Sequence, residues 1–431
     1  MKHFYQVLLN TLIANVTTSY LWFALTFWVY LETKSVLATG IIGGLYMLLV
    51  AIFSIIFGTI VDHNKKKHVM VFSSVFTFVC FALAGLLYML FPKEALIDWN
   101  GAIFWLFAGI ILIGGVIENM RNIALSTTVT LLVPKADHDK ANGMVGMVQG
   151  VAFMVTSVFS GLSIGLLGMG WTLAIAVALT GVAMVHLFFV RIPEKKIIHD
   201  PELKNKKIDV KGSLAAIRAV PGLAWLIVFT TFNNLVGGVF MALMDPYGLT
   251  LFPVEIWGVV LGVTSIGFIV GGAIVAKKGL GKNPLRTMLL INIGVAILGG
   301  LFTIREFWLL YAVGIFVFMC LMPAAEAAEQ TIIQRVVPLK RQGRVFGLAQ
   351  AIESASSPIS AFIVAPIAQF MIIPFMKSVE GKQAFGWLLG DGEARGIALV
   401  FLIASLIMLV AVLFAFTTRA YRQLSDFYQK A

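Results

Sequence analysis

Charge is what this 431-residue chain has least of: 12% of its residues are Asp, Glu, Lys or Arg and 59% are hydrophobic, against about 25% and about 45–50% in ordinary soluble domains. That scarcity excludes a soluble globular protein and leaves a membrane one. Cysteine is nearly absent as well. Cys80 and Cys320 stand inside apolar runs far apart in sequence, a placement for packing rather than for a disulfide or a redox pair. The six histidines, His3, His63, His68, His138, His186 and His199, have no metal-ligand spacing, and none stands with a Ser and an Asp in a hydrolase arrangement. No Walker-type glycine loop occurs, which speaks against ATP as the energy source. The sequence therefore offers no enzyme chemistry and asks for no cofactor and no metal. A net charge of +11 would suggest nucleic acid in a soluble protein. In a membrane protein the placement of Lys and Arg matters instead, and no nucleic-acid partner is expected.

What the chain has in abundance is apolar length. Runs of about 20 residues, enough to cross a bilayer, recur from end to end. Counted between charges, Gly and Pro, they fall at 4–31, 37–61, 69–91, 102–133, 141–167 and 171–190, then at 223–247, 254–276, 285–303, 307–337, 345–373 and 395–418. The first run is too long and too aromatic for a cleaved signal peptide and lacks a small-residue cleavage site, so it is expected to stay as the first spanning helix. Residues 191–222, "RIPEKKIIHDPELKNKKIDVKGSLAAIRAVPG", form the long charged, Pro-bearing interruption. The expected organisation is an all-α membrane protein of twelve transmembrane helices in two six-helix bundles: 1–190, a cytoplasmic basic linker at 191–222, and 223–431 ending in a short cytoplasmic tail. With both termini in the cytoplasm, the loops and tails on that side hold 25 of the 32 Lys and Arg and the outer loops six, while Arg121 lies within a span. Cytoplasmic loops carry the Lys/Arg excess, so this orientation, as a multi-pass protein of the cell membrane, is the one expected.

An internal repeat runs through the chain. "LLVPKADHDKANGMVG" from Leu131 and "RVVPLKRQGRVFGLAQ" from Arg335 align at an offset of 204, pairing Pro134 with Pro338, Lys140 with Arg344 and Gly143 with Gly347. "FGTIVDHNKKKHVM" and "GGAIVAKKGLGKNPLRTM" occupy the junction of the second and third segment in their respective halves, with Gly58 matching Gly272 and Ala276 standing where Asp62 would be. Internal repeats of this kind are how transporter folds are built.

Twelve segments as six plus six, a basic central loop and "GTIVDHNKKKHVM" resemble the major facilitator superfamily, whose signature between helices 2 and 3 is G-x-L-a-D-r-x-G-r-k. Gly58, Asp62, Lys66 and Lys67 match it, Ile60 stands for the Leu, and Lys65 replaces the second Gly. The "LLVP" near the end of the fourth segment and "GRVFGLAQAIESASSPIS" in the eleventh resemble the macrolide-efflux branch of drug exporters, which implies proton-driven antiport and multidrug resistance. The fifth segment, "TSVFSGLSIGLLGMG", has the glycines of the exporter pattern without its proline, and Arg121 is followed by "NIAL" rather than by the Gln-Gly of the fourth-segment signature. The resemblance gives Gly58, Asp62, Lys66 and Lys67 a gating role. Gly58 allows close helix approach, and Asp62 can pair with cations or with the positive end of a helix. The lysines alone also read as a topology anchor or a contact for anionic lipid.

Ionisable residues within spans cost about 2.5–3.5 kcal/mol each on insertion scales and face a cavity or a partner. Glu118 and Arg121 are three residues apart and share a helix face: either a structural pair, or an Arg holding a carboxylate near the cavity. In "MPAAEAAEQTIIQR", Glu326, Glu329 and Gln330 fall within about a 100° arc, with Gln334 adjoining one turn on. Two carboxylates on one face in a low-dielectric site cannot both ionise cheaply, which suits a proton carrier, although one glutamate pairing with a cation from another helix remains an alternative. Glu353 in the eleventh segment is a further candidate. Segments 1, 4, 7 and 10 line the central cavity in the family, which implicates Asn15 and Trp22 on the first and Asn233 and Asn234 on the seventh as substrate contacts, along with Arg121 and Gln330. Each of these also reads as glue between helices.

The expected function is a secondary active transporter, a monomer in the lipid bilayer, that exports an amphipathic or cationic small molecule by alternating access, coupled to protons through Glu326, Glu329, Glu353 and Glu118. An importer or lipid flippase of the same fold, or a membrane sensor that transports nothing, are the competing readings.

Overall fold

In hydrocarbon no water satisfies a free backbone N–H or C=O, so a spanning segment must close its hydrogen bonds within itself, and helices do so. The computed structural model follows that rule. It describes residues 2–33, 36–194, 210–252, 254–392 and 394–430. The helices are α1 (Lys2–Thr33), α2 (Val36–His63), α3 (Lys66–Leu90), α4 (Lys93–Ile97), α5 (Ala102–Leu132), α6 (His138–Phe189), α7 (Val210–Ala219), α8 (Leu223–Leu251) and α9 (Val254–Thr264). They continue as α10 (Ile266–Lys278), α11 (Pro284–Leu301), α12 (Trp308–Val336), α13 (Leu339–Ile367), α14 (Ile373–Lys377), α15 (Val379–Leu389), α16 (Arg395–Thr417) and α17 (Arg419–Lys430). Among the described residues, ten helices are long and apolar enough to cross a membrane.

Each of the twelve segments expected from the sequence has its helix. The fifth and sixth join in α6, interrupted at Gly168, whose φ of 76° takes the one non-helical turn there; glycine reaches that region without the clash a Cβ brings. The eighth segment is broken at Ser265 into α9 and α10, and the eleventh passes from α13 through a wider π-helical turn, Ala368–Ile372, into α14. The short helices α4, α7, α14, α15 and α17 were not expected. Of the linker at 191–222, residues 195–209 lie outside the described residues, and its end is α7.

The polarity of these helices is inverted relative to a soluble bundle. Leu86, Leu166, Phe189 and Phe414 are exposed, whereas Ser54, Ser73, Ser74, Thr127, Thr128 and Ser160 are buried. Small and hydroxylated residues between helices let backbones approach and supply polar contacts where apolar burial gives no advantage over lipid. Several buried threonine hydroxyls are satisfied within their own helix: Thr128, Thr156 and Thr180 donate to the carbonyls of Ala124, Ala152 and Ala176 at 2.6, 2.7 and 2.7 Å.

The chain forms two compact units. One comprises 1–138, 151–216 and 337–351, the other 139–150, 217–336 and 352–431. The first twelve residues or so of α6 thus pack with the helices of the second half of the chain, and the first part of α13 with those of the first half. In the second unit, Arg395 at the start of α16 is buried and gathers three chain ends: it donates to Thr303 O at 3.1 Å, Leu389 O at 3.0 Å and the Tyr247 hydroxyl at 2.6 Å, with Glu306 at 3.6 Å.

Candidate functional site

The signature residues at the end of α2 meet the beginning of α13. Asp62 is 1% exposed. Its Oδ1 accepts from the Gly343 N–H at 2.7 Å, its Oδ2 from the Arg344 N–H at 3.0 Å, and Arg344 Nε stands 3.7 Å from Oδ2. Amides near a helix N-terminus and a guanidinium are the partners an anion prefers there. Glycine makes the approach sterically feasible, since a Cβ at Gly58 would strike the Gly343 carbonyl and one at Gly347 would strike Ser54 O and the Gly58 backbone. Two of the three lysines make contacts within the protein. Lys66 is buried, donates to Val61 O at 2.8 Å and pairs with Glu194 at 3.6 Å, and Lys67 donates to Phe188 O at 3.0 Å.

In the second unit the other copy of the repeat makes the corresponding crossing. A Cβ at Gly272 on α10 would strike Gly143 O and Met147 N on α6, and one at Gly143 would strike Val275 and Ala276 N. The acid missing at Ala276 comes from the opposite helix. Asp139 Oδ2 accepts from the Leu280 N–H at 2.7 Å, and its carboxylate fills the space a side chain at Gly279 (φ 71°) would need. The offset of 204 that aligns Lys140 with Arg344 also aligns Asp139 with Gly343, so the signal lay in the repeat, although Asp139 was not singled out. Below this crossing, Asn142 donates to Thr331 Oγ1 at 2.9 Å and exchanges hydrogen bonds with Gln334 at 2.8 and 3.2 Å.

Within the spans the charges fall into two clusters. In the first unit, Arg121 is wholly buried on α5. It lies 3.5 Å from Glu118, donates to Ser74 Oγ at 2.9 Å and to Asn10 Oδ1, while Ser73 donates to Glu118 at 3.0 Å. Asn10 carries the network on to Ala183 O at 2.7 Å and His186 Nδ1 at 3.1 Å. Glu118 and Arg121 are thus brought together, but closed in by α1, α3 and α6.

In the second unit, the carboxyl groups of Glu329 on α12 and Glu353 on α13 lie within hydrogen-bonding reach of each other, and Thr230 on α8 donates to Glu353 Oε1 at 3.1 Å. Glu326 is exposed, yet near enough to Glu353 for the two to repel. The buried Oε1 of Gln330 has no partner among the described residues, and Gln334 is turned to Asn142. Asn233 and Asn234 on α8 and Asn15 on α1 are half-buried and engage no side-chain hydrogen bond among the described residues. Trp22 packs on Tyr46 of α2, ring centroids 4.5 Å apart. Tyr46, with Asn119 and Gln350 linked to it, was not singled out in the sequence, because the pairing of neutral polar residues from three different segments leaves no mark in any one of them.

Comparison with known proteins agrees with this geometry. The family model described as Major Facilitator Superfamily matches residues 7–361. Macrolide efflux protein A of Streptococcus pyogenes is 24% identical over 386 residues, covering 85% of this chain and 89% of that protein. The enterobactin exporter EntS of Escherichia coli is 22% identical over 276 residues, 64% of this chain and 65% of the exporter. Among solved structures, a bacterial homologue of the iron transporter ferroportin in its outward-facing state superimposes with a TM-score of 0.67 at 15% identity, over 97% of this chain and 100% of that one. The proton:xylose symporter XylE does so with a TM-score of 0.63 at 13% identity, over 96% and 95%.

Proposed function

The chain belongs to the major facilitator superfamily, and on that premise we propose that this multi-pass membrane transporter exports amphipathic small molecules, cations among them, in exchange for protons. Members of the family carry small molecules across membranes, and the sequence relatives above are exporters. The observation that carries the coupling is the Glu329–Glu353 contact. Two carboxyl groups hydrogen-bond only if a proton lies between them, and two bare carboxylates in a low-dielectric site repel strongly. Loss of the shared proton therefore leaves a charge that a cationic cargo can neutralise, and proton return displaces the cargo. Glu326 beside Glu353 extends the acidic set. On this reading Asn15, Trp22, Asn233, Asn234 and Gln330 offer polar contacts to cargo, while Glu118 and Arg121, sealed by Ser73, Ser74 and Asn10, brace α1, α3 and α5.

Gating falls to the glycine crossings. Asp62 on α13 amides and Asp139 on the Leu280 amide are contacts that close one face, made of a few hydrogen bonds and so weak enough to open in each cycle, as alternation of two repeats around a midplane site requires. The Lys/Arg distribution supports placing this face and both termini in the cytoplasm, with the protein working as a monomer in the cell membrane. The test is reconstitution into liposomes with an acidic interior and external labelled erythromycin, compared with protein-free liposomes. Antiport accumulates the macrolide beyond the protein-free level and discharges the gradient; protein-dependent accumulation that ignores the gradient refutes proton coupling.

A further inference from the structure

We propose that Trp22, Tyr46, Asn119 and Gln350 form a recognition subsite for a neutral, oxygen-rich ring of the cargo, such as a hydroxylated lactone or a sugar; this deepens the transport reading and rests on it. The four side chains come from α1, α2, α5 and α13, all in one compact unit, and each is half-buried. The Asn119 amide donates to the Tyr46 hydroxyl at 3.2 Å and to Gly115 O at 3.3 Å, and the Gln350 amide donates to Asn119 Oδ1 at 3.1 Å. The Trp22 and Tyr46 rings lie 4.5 Å apart at 32°.

Counting donors shows what this arrangement lacks. Both Asn119 N–H groups are spent. The Tyr46 O–H, the Trp22 indole N–H, the second Gln350 N–H and the Gln350 carbonyl have no partner among the described residues. Three donors against one carbonyl acceptor, with Tyr46 and Gln350 tied to Asn119 and Trp22 packed on Tyr46, suit a ligand rich in oxygen acceptors. The aromatic faces suit the apolar side of a ring. No acidic or basic residue (Asp, Glu, Lys, Arg or His) belongs to the cluster. The adjacent Glu118 is turned to Ser73 and Arg121, so charge is not what these groups recognise. The Cβ direction at Gly43, about one turn from Tyr46 on α2, is open: a Cβ there would meet nothing within 4 Å.

The experiment is equilibrium binding to the purified full chain, without any gradient, using two labelled probes: erythronolide B, a neutral hydroxylated lactone, and tetraphenylphosphonium, an apolar cation without oxygen acceptors. Removing one donor while keeping the ring, Tyr46→Phe, should weaken erythronolide B about three- to tenfold, the worth of one hydrogen bond, with tetraphenylphosphonium binding and melting temperature unchanged. Gln350→Leu should do the same from another helix. Equal erythronolide B affinity in wild type and both variants overturns the subsite, as does wild type that binds no erythronolide B. The transport reading fails separately. Protein that binds erythronolide B through Tyr46 and Gln350 but moves no cargo under a pH gradient keeps the subsite and loses the coupling, and gradient-driven flux of other cargo without erythronolide B binding does the reverse.

Discussion

Buried charge at the level of single residues separates two kinds of glutamate in this protein. Glu118 has a cation, Arg121, within 3.5 Å and a hydroxyl donor in Ser73, whereas Glu329 and Glu353 have each other and Thr230. The first carboxylate is balanced by a cation beside it, and on the proposed reading the second pair is balanced by a proton. Arg121→Met alone strands the Glu118 carboxylate and is expected to cost about 3–5 kcal/mol. Glu118→Met with Arg121→Met should recover most of that loss, because similar apolar volume replaces the pair; melting temperatures in detergent measure both. Glu329→Gln and Glu353→Gln should instead leave melting intact and abolish gradient-driven accumulation. Full accumulation in both single variants and in the double variant removes these residues from the coupling. That contrast was half legible in the sequence. The spacing of Glu118 and Arg121 announced a pair, and the arc of Glu326, Glu329 and Gln330 announced a common face, but nothing in one dimension says which carboxylate on α13 or which hydroxyl on α8 lies opposite.

At the scale of helices, two crossings repeat one construction with the acid moved from one partner to the other. In α2 against α13, the carboxylate sits on the helix that carries the signature and accepts from Gly343 and Arg344; in α6 against α10, it sits on α6 and accepts from Leu280. Glycines bring the backbones together in both. Asp62→Asn should therefore speed hydrogen exchange at the Gly343 and Arg344 amides, and Asp139→Asn at the Leu280 amide, each without changing the other. Mass spectrometry of the corresponding peptides reads both effects. Unaltered exchange in either variant means that its carboxylate does not hold that crossing. Gly272→Val should disturb the second crossing more than Asp139→Asn does, because its side chain collides with Gly143 O and Met147 N, which are backbone and cannot swing away; faster Leu280 exchange than in Asp139→Asn is the expected reading. Sequence reading recognised the first crossing through Gly58 and Asp62 and noted the lost acid at Ala276. It passed over Asp139, whose register in the repeat was already aligned. The break at Ser265, the π-helical turn at Ala368–Ile372 and the short helices α14, α15 and α17 are set by packing and by loop closure, which hydropathy does not record.

For the molecule as a whole, the architecture was legible because the solvent dictates it: segments of bilayer length must be helical, and twelve of them could be bounded by charge, Gly and Pro. How the segments share their lengths was not. The first residues of α6 and the first part of α13 each join the compact unit built mainly from the opposite half of the chain, an exchange that depends on Gly143, Gly343 and Gly347 rather than on hydropathy. Transport by alternating access needs such an arrangement to be reversible, and on the proposed reading proton occupancy of the carboxyl pair biases it. The decisive measurement is accumulation of labelled erythromycin by acid-interior proteoliposomes carrying wild type or the Glu329→Gln/Glu353→Gln double variant, each corrected for protein-free liposomes. Proton-coupled export through the carboxyl pair requires accumulation that collapses when the gradient is discharged in wild type and none in the variant, with both proteins reconstituted in equal amount and melting at the same temperature. Equal gradient-driven accumulation by the two proteins would contradict it.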